Sequence, residues 1–445
     1  MPVSSPSVRT PVTDARVAAA DILADVRRQA LLDVAFDRRV TTLDPRDRRW
    51  THELVYGMLR RRGWIDLLLG ARVRGGIARL DPDLIDLLRL GAYQLLWMAS
   101  VPAYAAIAQT VELAKVRHGL GASKLVNAVL RRLDRERDEA PPALPADPLD
   151  ALAATHSHPR WLVARWVARW GAEATAALLE ANNHEAPLVV RPWQVVREQL
   201  EAMLEAAGVT VGDAPLVGDS LTISGASLVE LGAFTQGLLF VQDPAATLVT
   251  RYAAFAPGSV VADLCAAPGG KSVELSRTAR VVAAADASFA RLARLRGTIA
   301  RLELANVHAL VSDARTPALA PVDAVLVDAP CTGTGTFRRH PDSRWRLQVS
   351  DLAMLPAAQR AIFRSAARVV KPGGLLVYST CSLEPEENDE QVETFLAEHP
   401  DFTLEPPPAG AVPDSVLDAG RLRVLPHLHG TDGAFAARLR RKSDR

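Results

Sequence analysis

The sequence predicts an all-α N-terminal domain followed by α/β, a doubly wound parallel sheet preceded by a small α+β subdomain. Three observations carry that expectation. Apolar residues recur at helical spacing as far as Arg137 with no strand-like run among them, and a proline-rich stretch then interrupts the pattern. From about Ser259, short apolar runs alternate with helical stretches, and each run ends in a polar or reactive residue.

At 445 residues, with 49% hydrophobic and 23% charged positions, the chain exceeds one ordinary domain and has ample material for buried cores. Its 52 basic residues nearly balance 51 acidic ones, so bulk charge gives no nucleic-acid signal and any basic surface is local. Three cysteines without zinc spacing exclude a disulfide framework, and no metal is expected. A reducing compartment fits. No run approaches the roughly 20 apolar residues of a membrane span, and the first residues lack an apolar signal core. The expectation is a cytoplasmic protein with no membrane contact.

Taken in order, residues 1–12 are Pro/Ser-rich and read as a loose tail. Thr13-Asp14 opens a helix continued by Val17, Ile22, Leu23 and Val26, and Leu54, Val55, Met58 and Leu59 repeat the spacing. Further helices are expected over 83–98, 105–117 and 123–137, which makes 13–140 one helical domain. Its arginines include Arg46, Arg48, Arg49, Arg60, Arg61, Arg62, Arg131 and Arg132. Charge alone leaves a solvated face and a nucleic-acid surface both open. Prolines 141, 142, 145 and 148 remove amide donors and restrict their predecessors, so 141–154 reads as a linker. Over 155–240, Trp166 and Trp170 at helical spacing read as core, and short apolar runs with Gly212-Asp213 and Gly218-Asp219 turns indicate the α+β subdomain.

The remaining stretch, 241–445, carries the chemistry. A buried strand over 260–264 runs into Cys265-Ala266-Ala267-Pro268-Gly269-Gly270-Lys271, where small residues and paired glycines let a ligand approach the backbone. The turn has neither Gly-x-Gly-x-x-Gly nor Walker spacing, which disfavours dinucleotide and nucleoside-triphosphate binding. The next strand ends at Asp286, suited to ribose hydroxyls and roughly 20 residues past the glycine turn. A third ends at Ser312-Asp313, suited to an adenine amino group. A fourth ends at Asp328, followed by Ala329-Pro330-Cys331-Thr332-Gly333-Thr334-Gly335, and a fifth at Ser379-Thr380-Cys381-Ser382. If the last two strands are parallel neighbours about 5 Å apart, both thiols open into one crevice at the carboxyl edge. Repeated delivery of polar groups to one edge argues for an adenosine-containing cofactor. Cys265, inside the cofactor turn, reads as a packing residue and not a third active thiol. Lys271 either adds positive potential or plays a structural role. Arg338, Arg339, His340 and Arg344 either grip phosphates or pair with Asp342 and Asp351.

These motifs resemble known families. Asp47-Arg48-Arg49-Trp50 through Tyr56-Gly57, Leu90-Gly91-Ala92-Tyr93-Gln94-Leu95 and Lys124-Leu125-Val126-Asn127-Ala128-Val129-Leu130-Arg131 resemble the NusB-type helical RNA-binding domain. The segment 263–271, the two cysteine motifs, Arg338-Arg339-His340-Pro341-Asp342 and Leu383-Glu384-Pro385-Glu386-Glu387-Asn388 resemble the Sun-type RNA cytosine-5 methyltransferases. The combination is similar to the RsmB branch. Alanine at 434 and the run Val190-Arg191-Pro192-Trp193 depart from the usual pattern.

The resemblance implies a Rossmann-like class I methyltransferase domain, S-adenosyl-L-methionine as cofactor and RNA, most readily 16S rRNA, as partner of a monomeric enzyme. It implies Cys381 as nucleophile and Cys331 as the helper in product release. On residue chemistry alone the two cysteines are not ranked, since Pro330-Cys331 also matches the Pro-Cys nucleophile motif of DNA cytosine methyltransferases. Asp328 would bond the base's polar edge or the cofactor, with Lys271 supplying charge nearby. Two other functions stay open: a methyltransferase of this fold acting on tRNA or DNA, and a non-catalytic RNA-binding assembly factor.

Overall fold

Residues 12–139 and 142–443 are described in the computed structural model, and the expected tail over 1–12 lies, apart from Val12, outside them. The chain forms two compact units, one of residues up to Asn183 with His340–Arg346, the other of His184–Arg339 with Leu347 onward.

The first unit is helical throughout: α1 (Asp14–Arg27), α2 (Leu32–Arg39), α3 (Pro45–Gly70), α4 (Pro82–Trp97), α5 (Ala103–Arg135), α6 (Pro148–Thr155) and α7 (Arg160–Asn183). Three of these start the same way. Asp44, Asp81 and Asp147 each accept a first-turn amide, and each precedes a proline whose missing N–H costs nothing there. This explains why the stretch expected as a linker over 141–154 turns helical at Pro148: an Asp-Pro pair begins a helix as readily as a proline inside one ends it. The separate helices expected over 105–117 and 123–137 are both present in α5, where they meet at Gly119, whose backbone is not helical.

Ile22, Leu54, Leu88, Val126 and Leu130 form the centre of this unit's core, each of them fully buried. Helix spacing is set by glycine. A Cβ at Gly57 would lie 1.9 Å from the Tyr93 hydroxyl, and one at Gly91 would lie 2.6 Å from a Leu130 methyl. The Tyr93 hydroxyl is itself held, donating to Glu53 at 2.5 Å.

In the second unit, β1 (Leu188–Pro192), α8 (Arg197–Ala206), β2 (Thr210–Asp213), β3 (Leu221–Ser224), α9 (Gly232–Thr235) and β4 (Leu239–Val241) build a four-stranded antiparallel sheet in the order β2-β3-β1-β4. This is the α+β arrangement expected from the short runs and Gly-Asp turns. The chain continues through α10 (Pro244–Ala253), β5 (Val260–Asp263), α11 (Gly270–Ser276), β6 (Val281–Asp286), α12 (Phe289–Leu302), β7 (Val307–Val311) and β8 (Val322–Asp328). After α13 (Ser343–Arg346), which belongs to the first unit, come α14 (Asp351–Arg368), β9 (Val370–Thr380), α15 (Asp389–Glu398), β10 (Phe402–Leu404), β11 (Leu417–Asp418), β12 (Arg421–Val424), α16 (Pro426–His429) and β13 (Ala434–Arg441).

The large sheet runs β11-β12-β13-β9-β8-β5-β6-β7, with β10 paired to β13. The five strands read from the sequence form its parallel part, β9-β8-β5-β6-β7. Alternation along each strand supplies two cores. Val261, Val282, Leu326 and Val377 pack on one face, and Ala262, Val325, Leu376 and Tyr378 on the other. Strand order reverses between β5 and β8, so the carboxyl ends there open a crevice suited to ligand binding. The antiparallel strands β10 to β13 were not expected. The run Ala-Phe-Ala-Ala-Arg-Leu-Arg-Arg of β13 lacks a strand-like apolar pattern and owes its burial to pairing with β9. Among the described residues no helix is long and apolar enough to cross a membrane.

Replacing Gly57 by alanine forces Tyr93 off its Glu53 partner, and the expected loss of stability is about 1–3 kcal/mol. Gly121→Ala, where an added Cβ meets nothing within 4 Å, is the control. The urea midpoint of the full chain should fall for the first variant and not for the second.

Candidate active site

The crevice begins with the pairing of β8 and β9, which sets Asp328 opposite Ser379. Both strands end there, and the turns after them bring Cys331 Sγ and Cys381 Sγ to 3.4 Å. Backbone bonds stitch these turns to the C-terminal segment. The Gly335 amide donates to the Cys381 carbonyl at 2.9 Å, and the Gly433 amide donates to the Gly335 carbonyl at 2.7 Å. A Cβ at Gly335 would stand 2.7 Å from that Cys381 oxygen, so the close approach requires glycine.

Beneath the thiols lies a polar floor. Glu387, 0% exposed, accepts from the Thr332 amide at 2.9 Å, the Thr332 hydroxyl at 2.5 Å and Gln359 Nε2 at 3.0 Å. Burial raises its carboxyl above the ordinary glutamate value. Asn388 accepts from the Thr380 hydroxyl at 2.5 Å and donates to the Ser382 carbonyl at 2.8 Å, so it brackets Cys381. The Cys331 thiol is held well above its ordinary value, first by its hydrogen bond with Cys381 and then by burial.

On the other side stands Lys271. Its ammonium donates to Asp328 Oδ2 at 2.7 Å, and Ser379 Oγ donates to Asp328 Oδ1 at 2.9 Å, so the carboxylate is fixed from both ends. Burial opposes the lysine's charge, but Asp328, with Cys381 and Asp263 further off, outweighs it and keeps Lys271 above its usual value. Asp263 at the end of β5 accepts from Ser272 Oγ at 2.6 Å, and burial, reinforced by Asp328, pushes its carboxyl up to about 7.

A cleft of 210 Å³ runs along this edge, lined by Gln242, Asp243, Asp263, Cys265, Ala266, Ala267, Pro268, Gly269, Gly270, Lys271 and Asp328. The structure thus brings the whole predicted cofactor turn together with Asp328 and Lys271. Asp286 stands behind the turn: it is buried, accepts the Ala267 amide at 3.3 Å and the Ser288 amide at 2.8 Å, and pairs with Arg291 at 2.8 Å. Asp313 lies past the end of β7, half-exposed, with both oxygens taken by Arg315 and no place in the cleft lining. Burial lifts the Cys265 thiol far up, in keeping with packing.

The residues present fit an adenosyl cofactor. The cleft combines carboxylates, one ammonium and small-residue backbone, which matches an amino acid joined to a nucleoside. Gln242 adds a buried Nε2 with no hydrogen-bond partner among the described residues, while its Oε1 is anchored by Thr247 Oγ1 at 2.8 Å.

Arg338, Arg339 and Arg344, expected either to grip phosphates or to pair with acids, have carboxylate and carbonyl partners within the protein. Arg338 is buried against Asp432 at 3.0 Å and donates to the Gly430 carbonyl at 2.9 Å. Arg339 spans Asp243 at 2.5 Å and Asp432 at 2.7 Å. Arg344, fully buried in the first unit, donates to Asn183 Oδ1 at 2.7 Å and to the Asn182 carbonyl at 2.8 Å. His340 is half-exposed and pairs with Asp33 at 3.3 Å. Sequence reasoning passed over Gln242, Asp243, Asp432 and Glu387. Asp243 had a signal, the Asp-Pro helix start, whereas Glu387 sat unranked inside a run of acids.

Comparison with known proteins matches three stretches of the chain. A family model described as 16S rRNA methyltransferase RsmB/F matches residues 253–440, the NusB family matches 13–135, and an RsmF/B-like ferredoxin-like domain matches 158–230. The probable ribosomal RNA small subunit methyltransferase B of Synechocystis sp. is 36% identical, the alignment covering 94% of this chain and 98% of that one. The ribosomal RNA small subunit methyltransferase B of Vibrio cholerae is 35% identical over 88% of this chain and 89% of its own. Among solved structures, PH0851 superposes with a TM-score of 0.79 at 29% identity, covering 97% of this chain and 99% of that one. NSun6 from Pyrococcus horikoshii, solved with SFG, shares the fold at a TM-score of 0.57 and 21% identity over 64% of this chain and 99% of its own.

Asp263 gives the site a pH signature. Its folded-state value of about 7 lies above the ordinary 3.8, so the stability tied to its protonated form is full below the ordinary value and is lost as pH rises through about 7. Asp263→Asn keeps the neutral shape at every pH. In cofactor-free protein, the fall in Tm between pH 5 and pH 8 should be smaller for the variant than for the unaltered chain.

Proposed function

The chain belongs to the RsmB/F methyltransferase family, and on that premise we propose that it methylates carbon 5 of a cytidine in RNA, with S-adenosyl-L-methionine as the methyl donor and 16S rRNA as the substrate. The observation that carries the chemistry is the pair of thiols at 3.4 Å beside the Lys271–Asp328 ion pair. The names of the relatives support the ribosomal substrate, which puts the enzyme in the cytoplasm. We read it as a monomer, with 13–140 the RNA-binding domain, 141–154, helical from Pro148, the connection to a subdomain over 155–240, and 241–445 the catalytic domain.

Carbon 5 of cytosine is a weak nucleophile. A Cys381 thiolate adding to carbon 6 makes the ring enamine-like, so that carbon 5 becomes able to attack an electrophilic carbon. The cofactor supplies that carbon as a sulfonium methyl. Loss of the proton on carbon 5 then breaks the bond between Cys381 Sγ and carbon 6 and frees the product, a step in which Cys331 assists. Lys271 supports Cys381 as the attacking sulfur, because its ammonium is the positive charge facing that thiol. Asp328, held at both oxygens by Lys271 and Ser379, presents a fixed acceptor to the amino edge of the base and favours addition by stabilising the protonated ring. The turn 265–271, with Asp286 behind it, holds the cofactor. Asp313, engaged with Arg315, contributes only by exchanging that partner. The target base must be unstacked, since a duplex hides carbon 6.

RNA carrying 5-fluorocytosine tests this, because fluorine on carbon 5 blocks the elimination. Incubated with cofactor, the unaltered chain and Cys331→Ser should form a covalent RNA adduct visible on a denaturing gel, and Cys381→Ser should form none. An adduct that persists in Cys381→Ser and vanishes in Cys331→Ser sinks the assignment of roles.

A further inference from the structure

Two thiols 3.4 Å apart on equivalent strand ends are chemically alike, yet the proposed reaction needs them to differ. The difference originates beneath them. Glu387 lies in the turn Pro385–Glu387 after β9 and is 0% exposed. Its carboxylate takes the amide and hydroxyl of Thr332, the residue after Cys331, at 2.9 and 2.5 Å. The Thr332 hydroxyl also lies 3.1 Å from the hydroxyl of Ser382, the residue after Cys381. Gln359 Nε2 donates to Glu387 at 3.0 Å and to the carbonyl of Pro330, the residue before Cys331, at 2.9 Å. One carboxylate therefore holds the chain after Cys331 directly, the chain after Cys381 through the Thr332 hydroxyl, and the chain before Cys331 through Gln359.

Two of those donors are N–H groups that cannot accept, so the geometry suits an ionised carboxylate. The charged and titratable groups facing Cys331 are few. Cys381 lies beside it, and Tyr378 on β9 donates its hydroxyl to the Glu387 carbonyl at 2.7 Å. Asp328 on β8 is neutralised by Lys271 at 2.7 Å. Glu387, bonded to the residue after Cys331, is thus the carboxylate on that side, while the Lys271 ammonium is paired with Asp328 at the end of β8.

We propose that Glu387 is the positioning residue that makes the two cysteines unequal: its buried carboxylate fixes both thiol-bearing turns and keeps Cys331 protonated, so that Cys381 alone enters the reaction as a thiolate. This rests on the cytosine-5 mechanism above and deepens it. A plain structural staple predicts something different. Glutamine in place of Glu387 keeps the length and most of the hydrogen bonds but not the charge, whereas aspartate keeps the charge and loses the reach.

The test reads thiol reactivity in the full chain without RNA or cofactor, by timed iodoacetamide alkylation and peptide mass spectrometry across pH. At pH 8, Cys331 in Glu387→Gln should alkylate about 10-fold faster than in the unaltered chain, the change expected from about one pKa unit, with Cys381 altered less than about 2-fold. Glu387→Asp should keep Cys331 slow. A Cys331 rate that stays put in the glutamine variant, or rises in the aspartate variant alone, overturns the proposal. Should Glu387→Gln fail to fold, Glu387→Asp decides: the charge is kept, so Cys331 should stay as slow as in the unaltered chain, and a Cys331 that alkylates about 10-fold faster overturns the proposal. The fluorocytosine trap uses different reagents, so failure of the reaction mechanism and failure of the Glu387 role are told apart.

Discussion

The parallel pairing of β8 with β9 is the constraint on which the rest of the catalytic half depends. Register places Asp328 beside Ser379, and because both strands stop there, the turns beyond them start a strand's width apart. Had the register slipped by one residue, every side chain of β9 would change faces and Cys381 would leave the crevice. The fully buried run of β9, Leu376, Val377, Tyr378 and Ser379, prevents that slip, since both of its faces are packed. Hydrophobic burial sets the position of the strands, and hydrogen bonds then set the angle of the two cysteine-bearing turns.

Charge is distributed around that crevice with a clear asymmetry. Buried ions are costly unless paired, and here Lys271 and Asp328 pair directly while Ser379 satisfies the remaining acceptor. The same low-dielectric setting makes Asp263 hard to ionise, while the hydrogen bond with Cys381, and then burial, raise the Cys331 thiol. An acid that resists ionisation, a held ammonium and two thiols in different surroundings are what proton bookkeeping in such a reaction requires. None of these properties belongs to a residue type. Each comes from what the fold packs around it.

Much of this was legible in the sequence, because apolar strands that end in polar residues are a local pattern. Asp328, Cys331 and Cys381, the turn 265–271 and the five strands that precede polar endings could be read from runs and their endings, whereas the order of those strands could not. Nor could the C-terminal strands. In β13 every residue from Ala434 to Leu439 is buried, Arg438 included, because Arg438 reaches the Pro406 carbonyl and Glu405. The partners of the arginines after Cys331 were hidden for the same reason. A basic run looks like a surface until its carboxylates, Asp243 and Asp432, arrive from distant parts of the chain. The helix at Pro148 was hidden because an Asp-Pro pair reads as a helix breaker and serves there as a helix start.

That cluster of Asp243, Arg338, Arg339 and Asp432 shows why polar groups, and not more leucines, fasten the loop after Cys331. A loop cannot pair its own amides and carbonyls as a strand or helix does, so burying it in an apolar setting would leave them unsatisfied. Apolar contacts are also nearly free of angular preference, whereas two guanidinium groups shared between two carboxylates tolerate little rotation. The arrangement gives little net stability: burial and the neighbouring Asp243 push Asp432 up to about 6, a sign that the ions are held against their own solvation. What it gives is one geometry for the segment that runs from the Cys331 turn to Gly433, and the 3.4 Å between the sulfurs depends on that geometry being single.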